Sequence, residues 1–348
     1  MMTVEQATYS RLENLDIREL PFGRVFTDHM YTCTFKDGKW DAGKIQPFDN
    51  LTFSPGMQGL HYGQSIFEGM KAYRNSSDEV VLFRPIENQL RLNKSAVRMC
   101  MPELPEHLFM DGLKKLLEID SAWVPSYDGF SLYIRPFMFA SGVGVQAKPS
   151  EEYTFMIICS PVSAYYSKPV KLLIEETYSR AAFGGTGTAK AGGNYGGSFY
   201  PAKLAGEKGY DQLMWTDSIE HKYIEEAGTM NIFFRIGDEL VTPALSGTIL
   251  EGITRDSVIK LARHIGIPVV ERKISVDELM EAYENNSLTE AFGVGTAATV
   301  SIISHIGRDD KQIVLDENQE FALRIKENMD NIRLGKQSDD LKWIMKVC

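Results

Sequence analysis

Five glycines crowd one lysine in the run Thr-Gly-Thr-Ala-Lys-Ala-Gly-Gly-Asn-Tyr-Gly-Gly (186–197). Glycine on both sides dictates a backbone that can pass close to whatever it faces, and Lys190 in its middle is an amine free of bulky chain neighbours. That arrangement suits a Schiff base. Glu226 follows 36 residues later, in Ile-Glu-Glu-Ala-Gly-Thr-Met-Asn-Ile-Phe (224–233). Pyridoxal phosphate needs both groups, because a carboxylate facing its pyridine nitrogen keeps the ring protonated and able to drain charge from a substrate α-carbon. A phosphate-cradling P-loop needs Gly before the lysine and Ser or Thr after it, but here stand Ala189 and Ala191. A dinucleotide fingerprint starting at Gly185 meets Lys190 where its last glycine belongs. A flexible turn with a solvated lysine is the plain alternative.

With 348 residues, 43% apolar and 24% charged, the chain has room for two domains. A formal net charge of −10, with the basic residues scattered, argues against nucleic acid and anionic membrane as partners and favours small-molecule chemistry. No run approaches a membrane span and the amino terminus lacks a basic start followed by an apolar stretch, so the expected location is the cytoplasm. Cys33, Cys100, Cys159 and Cys348 are far apart without Cys-x-x-Cys, which favours unpaired, buried thiols and no metal site.

Strand-like runs at 68–74, 79–84, 131–139 and 153–161 alternate with helical patterns near 85–100 and 107–119. The turn-rich stretch 162–169 reads as a linker between a small N-terminal α/β domain (1–161) and a larger domain (170–348). The second part opens with a strand at 170–176, passes the lysine loop, and continues through a helix around 198–208 that Gly209 closes, then strands at 211–216 and 229–236 with a turn at Gly237-Asp238. Ser275 and Glu278 form a capping box for a helix at 276–285, and a last helix spans about 318–333. In Ser131-Leu-Tyr-Ile-Arg, Tyr133 and Arg135 share one strand face while Leu132 and Ile134 take the other. By the same parity, Glu225 and Glu226 face opposite ways.

Two glycine turns are candidate phosphate sites. Gly252 precedes a helix starting near Ile253 or Thr254, where free amides and the Thr254 hydroxyl suit a dianion. The turn Gly-Val-Gly-Thr-Ala-Ala (293–298) adds Thr296. A plain helix cap and a plain hairpin are the alternatives.

Lys190-Ala-Gly-Gly-Asn-Tyr195, Glu226-Ala-Gly-Thr-Met-Asn231, Leu250-Glu-Gly-Ile-Thr-Arg255 and Gly295-Thr-Ala297 occur in the order seen in branched-chain amino acid aminotransferases, and residues 60–72, Phe83-Arg-Pro, Arg91, 131–136 and 159–165 agree as well. The chain resembles that family over roughly residues 20–335. The resemblance implies a mixed α/β (α+β), two-domain fold type IV pyridoxal-phosphate fold, like that of D-amino-acid aminotransferase, and transamination of L-leucine, L-isoleucine and L-valine with 2-oxoglutarate. It implies that Lys190 carries the cofactor and moves the substrate proton, that Glu226 faces the pyridine nitrogen, that Tyr195 bonds O3′, and that Arg91 pairs with the phosphate together with Ile253, Thr254 and Thr296. Thr229, Leu250 and Gly252 complete the implied cofactor contacts.

On the substrate side the resemblance implies that Arg135 receives the distal carboxylate of glutamate or 2-oxoglutarate. Phe67, Tyr133 and Tyr165 form an apolar wall, amides around Thr296, Ala297 and Ala298 take the α-carboxylate, and Tyr62 enters from the neighbouring subunit of a homodimer. Mammalian members carry a cysteine pair where this chain has Ala298 and Ser301, so a thiol switch there is excluded. D-amino-acid aminotransferases and aminodeoxychorismate lyases are the nearest rivals, and a non-catalytic ligand-binding protein is the rival from another class.

Overall fold

The computed structural model describes residues 1–20, 22–163 and 168–348. The chain forms two compact units: Met1–Tyr165 with Ala189–Gly193 and Asp330–Cys348, and Tyr166–Thr188 with Asn194–Met329.

Among the described residues the first unit carries a ten-stranded sheet. In spatial order it runs Thr3–Val4, Lys44–Pro47, His29–Lys36, Tyr153–Val162, Ser131–Ala140, Met70–Arg74, Val80–Phe83 and Ile344–Lys346, with Lys39–Trp40 and Ser65–Phe67 paired alongside. Alternation along Ser131–Ala140 sets its two faces. Leu132, Ile134 and Met138 are buried in one core with Leu92 and Ala96 of the helix Pro85–Arg98 and with Phe109, Leu113, Leu116 and Leu117 of the helix Glu106–Ile119. Each such Leu or Phe contributes roughly 1.5–3 kcal/mol on burial, so this layer holds the sheet rigid under the opposite face. That opposite face carries Tyr133 and Arg135, as parity requires, and the register sets Lys71 and Ser160 on either side of Tyr133.

The second unit has nine strands among its described residues: Ile224–Ala227, Gln212–Thr216, Val170–Glu175, Thr299–Arg308, Leu288–Gly295, Met230–Ile236, Glu239–Pro243 and Val269–Arg272 in spatial order, with Lys311–Val314 against Thr299–Arg308. Ile224–Ala227 also pairs with Met230–Ile236, so the first six of these strands close on themselves. Gly228 makes that closure possible. It turns between the paired residues Ala227 and Met230 with φ +57°, and a Cβ there would meet Gln212 Oε1 at 2.4 Å.

Most expected elements lie where the periodicity placed them, including the hairpin at Gly237-Asp238 between Met230–Ile236 and Glu239–Pro243. The capping box is half-formed: the Ser275 hydroxyl accepts from Glu278 N at 3.0 Å, while the Glu278 carboxylate goes to Arg272 at 2.5 Å. One helix begins earlier than its glycines suggest, at Gly192 rather than 198. Its start is tied from outside: Asn194 accepts from the Thr186 hydroxyl at 2.6 Å and donates to the Thr186 carbonyl at 2.8 Å, which offsets the poor propensity of the glycines. The thiols are all free, but only Cys33 and Cys159 are buried; Cys100 and Cys348 are exposed, contrary to the expectation that all four pack inside.

Candidate active site

Lys190 is not a mobile loop lysine. Its backbone N–H donates to Ser95 Oγ at 2.9 Å, its carbonyl accepts from Phe67 N at 3.0 Å, and the next residue, Ala191, bridges to Ile66. Ala189 and Ala191 are each 2% exposed, so the residues that break the P-loop pattern are small because they are packed. With the main chain fixed on both sides, only the side chain is left to move. Lys190 Nζ lies 4.9 Å from the Phe67 ring centroid, and Arg135 Cζ lies 4.5 Å from the same ring. Arg135 Nη2 donates to the Tyr133 hydroxyl at 2.8 Å, and Phe22 packs against Tyr133 with centroids 5.3 Å apart. Arg135 Nε is buried with no hydrogen-bond partner. Two cations around one aromatic ring, one with an unanswered donor, form a site that attracts an anion.

The Tyr133 position depends on a glycine. A Cβ at Gly69 would meet the Tyr133 hydroxyl at 2.5 Å. Gly69→Ala is therefore expected to push Tyr133 aside and to lower stability by about 1–3 kcal/mol in chemical denaturation. An unchanged unfolding midpoint would show that the phenol yields freely.

Arg91 sits on the helix Pro85–Arg98 with a partner that sequence reasoning missed. Glu68, wholly buried, takes Arg91 Nε on Oε1 at 2.7 Å and Nη2 on Oε2 at 2.8 Å, and Asn88 Nδ2 adds a bond at 2.7 Å. The fork-to-fork pair orients the guanidinium before any ligand arrives. Tyr62 ends the short helix Gln58–Tyr62, is 44% exposed, and donates its hydroxyl to the Val145 carbonyl. Tyr165 lies outside the described residues.

In the second unit, Glu226 is buried and richly bonded. Its Oε1 accepts from Asn231 Nδ2 at 3.0 Å and from Leu250 N at 3.3 Å, and its Oε2 lies 2.5 Å from Arg180 Nε. Arg180, Asn194, Tyr195, Ser198, Glu226, Gly228, Thr229 and Leu250 line one cavity, which brings Glu226, Tyr195, Thr229 and Leu250 together. Asn231 and Arg180 are additions. Arg180 stands 46 residues from its partner, and nothing local in the sequence signals the pair. Glu225 has separate partners, as its parity requires, with the Thr248 hydroxyl on its Oε1; burial is the main force pushing its carboxyl above the usual range.

Gly252 is the N-cap of Ile253–His264 and offers no side-chain cap, while Thr254 is buried in the first turn. A Cβ on Gly252 would lie 1.9 Å from Asn231 Oδ1, so the glycine also protects the residue that holds Glu226. Thr296, Ala297 and Ala298 form the three-residue turn between the paired Gly295 and Thr299, and Thr299 has φ +62°, a costly conformation for a β-branched residue. The hairpin reading of this turn and the cap reading of Gly252 both describe the local backbone; neither conflicts with an anion site.

The Amino-transferase class IV family matches residues 65–306. Over 348 residues the chain is 44% identical to branched-chain-amino-acid aminotransferase 2 of Bacillus subtilis, covering 98% of this chain and 96% of that protein. It is 45% identical to branched-chain-amino-acid transaminase 1 of the same organism over 350 residues, covering 99% and 98%. Among solved structures, the Escherichia coli branched-chain amino acid aminotransferase superimposes with a TM-score of 0.75 at 26% identity, covering 92% of this chain and 99% of that one. Enzymes of the class use pyridoxal phosphate. The lysine, the bonded carboxylate and the glycine turns thus occur in a chain that belongs to the class IV aminotransferases and, within them, to the branched-chain-amino-acid aminotransferases.

Proposed function

We propose that this chain transfers the amino group of L-leucine, L-isoleucine and L-valine to 2-oxoglutarate, giving the branched-chain 2-oxo acids and L-glutamate. Its family membership supports the enzyme class and the branched-chain substrates. The observation that carries the glutamate half is the Lys190–Phe67–Arg135–Tyr133 cluster.

The residues fit pyridoxal phosphate: an amine on a fixed backbone, a buried carboxylate held by two hydrogen bonds and an ion pair, and a glycine-capped helix start where a Cβ would clash. When bound, the cofactor supplies an electron sink for the bond broken at the substrate α-carbon. In this reading Lys190 Nζ would hold the cofactor and would move the substrate proton between the α-carbon and the cofactor's C4′, acting first as base and then as acid. Glu226 would keep the pyridine nitrogen protonated, Tyr195 would bond O3′, and Arg91, Gly252, Ile253, Thr254 and Thr296 would bind the phosphate, with Thr229 and Leu250 as further cofactor contacts. Amides at Thr296, Ala297 and Ala298 bind the α-carboxylate.

One pocket must take both an aliphatic and an acidic side chain. Arg135 reconciles them by resting on the Tyr133 hydroxyl and the Phe67 face, which leaves an apolar wall for leucine, and by offering its unpaired Nε to the distal carboxylate of glutamate. Arg135→Gln is expected to slow the reaction with 2-oxoglutarate by about 10- to 100-fold, the worth of a charged hydrogen bond, while sparing the reaction with L-leucine. The test follows the visible cofactor band: L-leucine bleaches it, D-alanine does not, and 2-oxoglutarate restores it. Restoration in Arg135→Gln at the wild-type rate would remove the role of Arg135.

The same reading makes a homodimer the minimal active unit, with Tyr62 reaching the neighbouring subunit, and places the enzyme in the cytoplasm. The exposure of Leu60, Tyr62, Val143 and Val145 supports the first point. Among the described residues no helix is long and apolar enough to cross a membrane.

A further inference from the structure

Glu225 and Glu226 are adjacent and both buried, yet their surroundings differ sharply. Glu226 has a cation on one oxygen and two N–H donors on the other. Glu225 has the Thr248 hydroxyl on Oε1 and no hydrogen-bond partner on Oε2. An ionised carboxylate with an unanswered buried oxygen is expensive, whereas a neutral acid can give its proton to Thr248 Oγ1 and leave only a carbonyl-type oxygen unpaired. Thr248 Oγ1 has a further partner 2.7 Å away in Ser246 Oγ.

Arg180 pairs with Glu226 and acts on Glu225 only through its charge. Its Nε forms a close ion pair with Glu226 without hydrogen-bond alignment, and its Nη2 donates to the main-chain carbonyls of Gly187 and Thr248. The carbonyls fix the guanidinium plane, so its charge stays on Glu226. We propose that Arg180 is a positioning residue that keeps Glu226 ionised and aimed, and that Glu225 stands beside it as a neutral acid, leaving the guanidinium undivided. This rests on the cofactor role of Glu226 given above. The groups acting on Glu225 are few: burial raises its proton affinity most, Thr248 and Arg180 oppose, and the charges of Glu226 and Asp217 add to the rise.

The test uses the reconstituted holoenzyme and two readouts other than activity: the pH midpoint of the visible cofactor band, and the cofactor dissociation constant. Arg180→Gln removes a cation that opposes a protonated Schiff base, so the midpoint is expected to rise by about half a unit or more, with cofactor binding weakened about tenfold. Arg180→Lys keeps the charge but loses the planar fork, and is expected to restore the midpoint but not the affinity. Glu225→Gln mimics the neutral acid and should leave the midpoint in place. A wild-type midpoint in Arg180→Gln, or Arg180→Lys matching Arg180→Gln in both readouts, would overturn the positioning role. A midpoint shifted by Glu225→Gln would show that Glu225 is charged and would overturn the second half. If Arg180→Gln does not fold, Arg180→Lys and Glu225→Gln decide the matter between them. A wild-type protein with no visible band after reconstitution would instead overturn the function on which this inference stands.

Discussion

Lys190→Ala is expected to abolish multiple-turnover transamination between L-leucine and 2-oxoglutarate, with a loss of about 10⁴-fold or more, because proton transfer by a positioned group alone is worth roughly 10² to 10⁴. The fold should survive. Both contacts that fix residue 190, to Ser95 and to Phe67, are made by its main chain and persist in alanine. Thermal unfolding close to wild type, together with lost formation of glutamate, would assign the defect to the amine. Turnover that continues in this variant would show that the proton is carried elsewhere.

The second large effect concerns stability. Glu68→Ala removes the carboxylate that takes Arg91 Nε and Nη2 and leaves the Asn88 amide with the Gly69 carbonyl alone of these two acceptors. Breaking a buried pair from one side costs about 3–5 kcal/mol, since the remaining guanidinium loses its carboxylate and does not regain water. Urea unfolding should show a midpoint lowered accordingly. Glu68→Gln keeps one acceptor and should lie between the two. If Glu68→Ala unfolds like the wild type, Arg91 has another partner able to hold it, and the orienting role of Glu68 is lost.

Elements whose pattern is local were legible in the sequence. Ser131–Ala140 alternates in burial from Ile134 onward, and Tyr133 and Arg135, two apart on the strand, could be assigned to a common face from parity alone. His29–Lys36 was not anticipated: its first five residues are buried without interruption, and a continuous buried run carries no period to read. The site divides the same way. Lys190, Glu226, Tyr195 and Gly252 stand in short motifs. The partners that orient them, Glu68 for Arg91 and Arg180 for Glu226, lie 23 and 46 residues from the groups they serve, and only folding selects them. The surroundings of Lys190 differ from what its neighbours suggested. Glycine neighbours suggested freedom, while the structure shows two packed alanines and a backbone bonded on both sides.

The order in which the chain visits its two units has a genetic consequence. It leaves the first unit after residue 165, returns for Ala189–Gly193, leaves again, and comes back at Asp330 for the last time. The five-residue return contains Lys190. Exchange of either unit with a homologue by recombination would need four crossovers, two of them within a few codons of the lysine. A gene fragment ending near residue 165 would encode a first unit without its lysine segment and without the strand Ile344–Lys346 that closes its sheet edge. No single cut separates Lys190 from the whole of the unit whose strand carries Glu226.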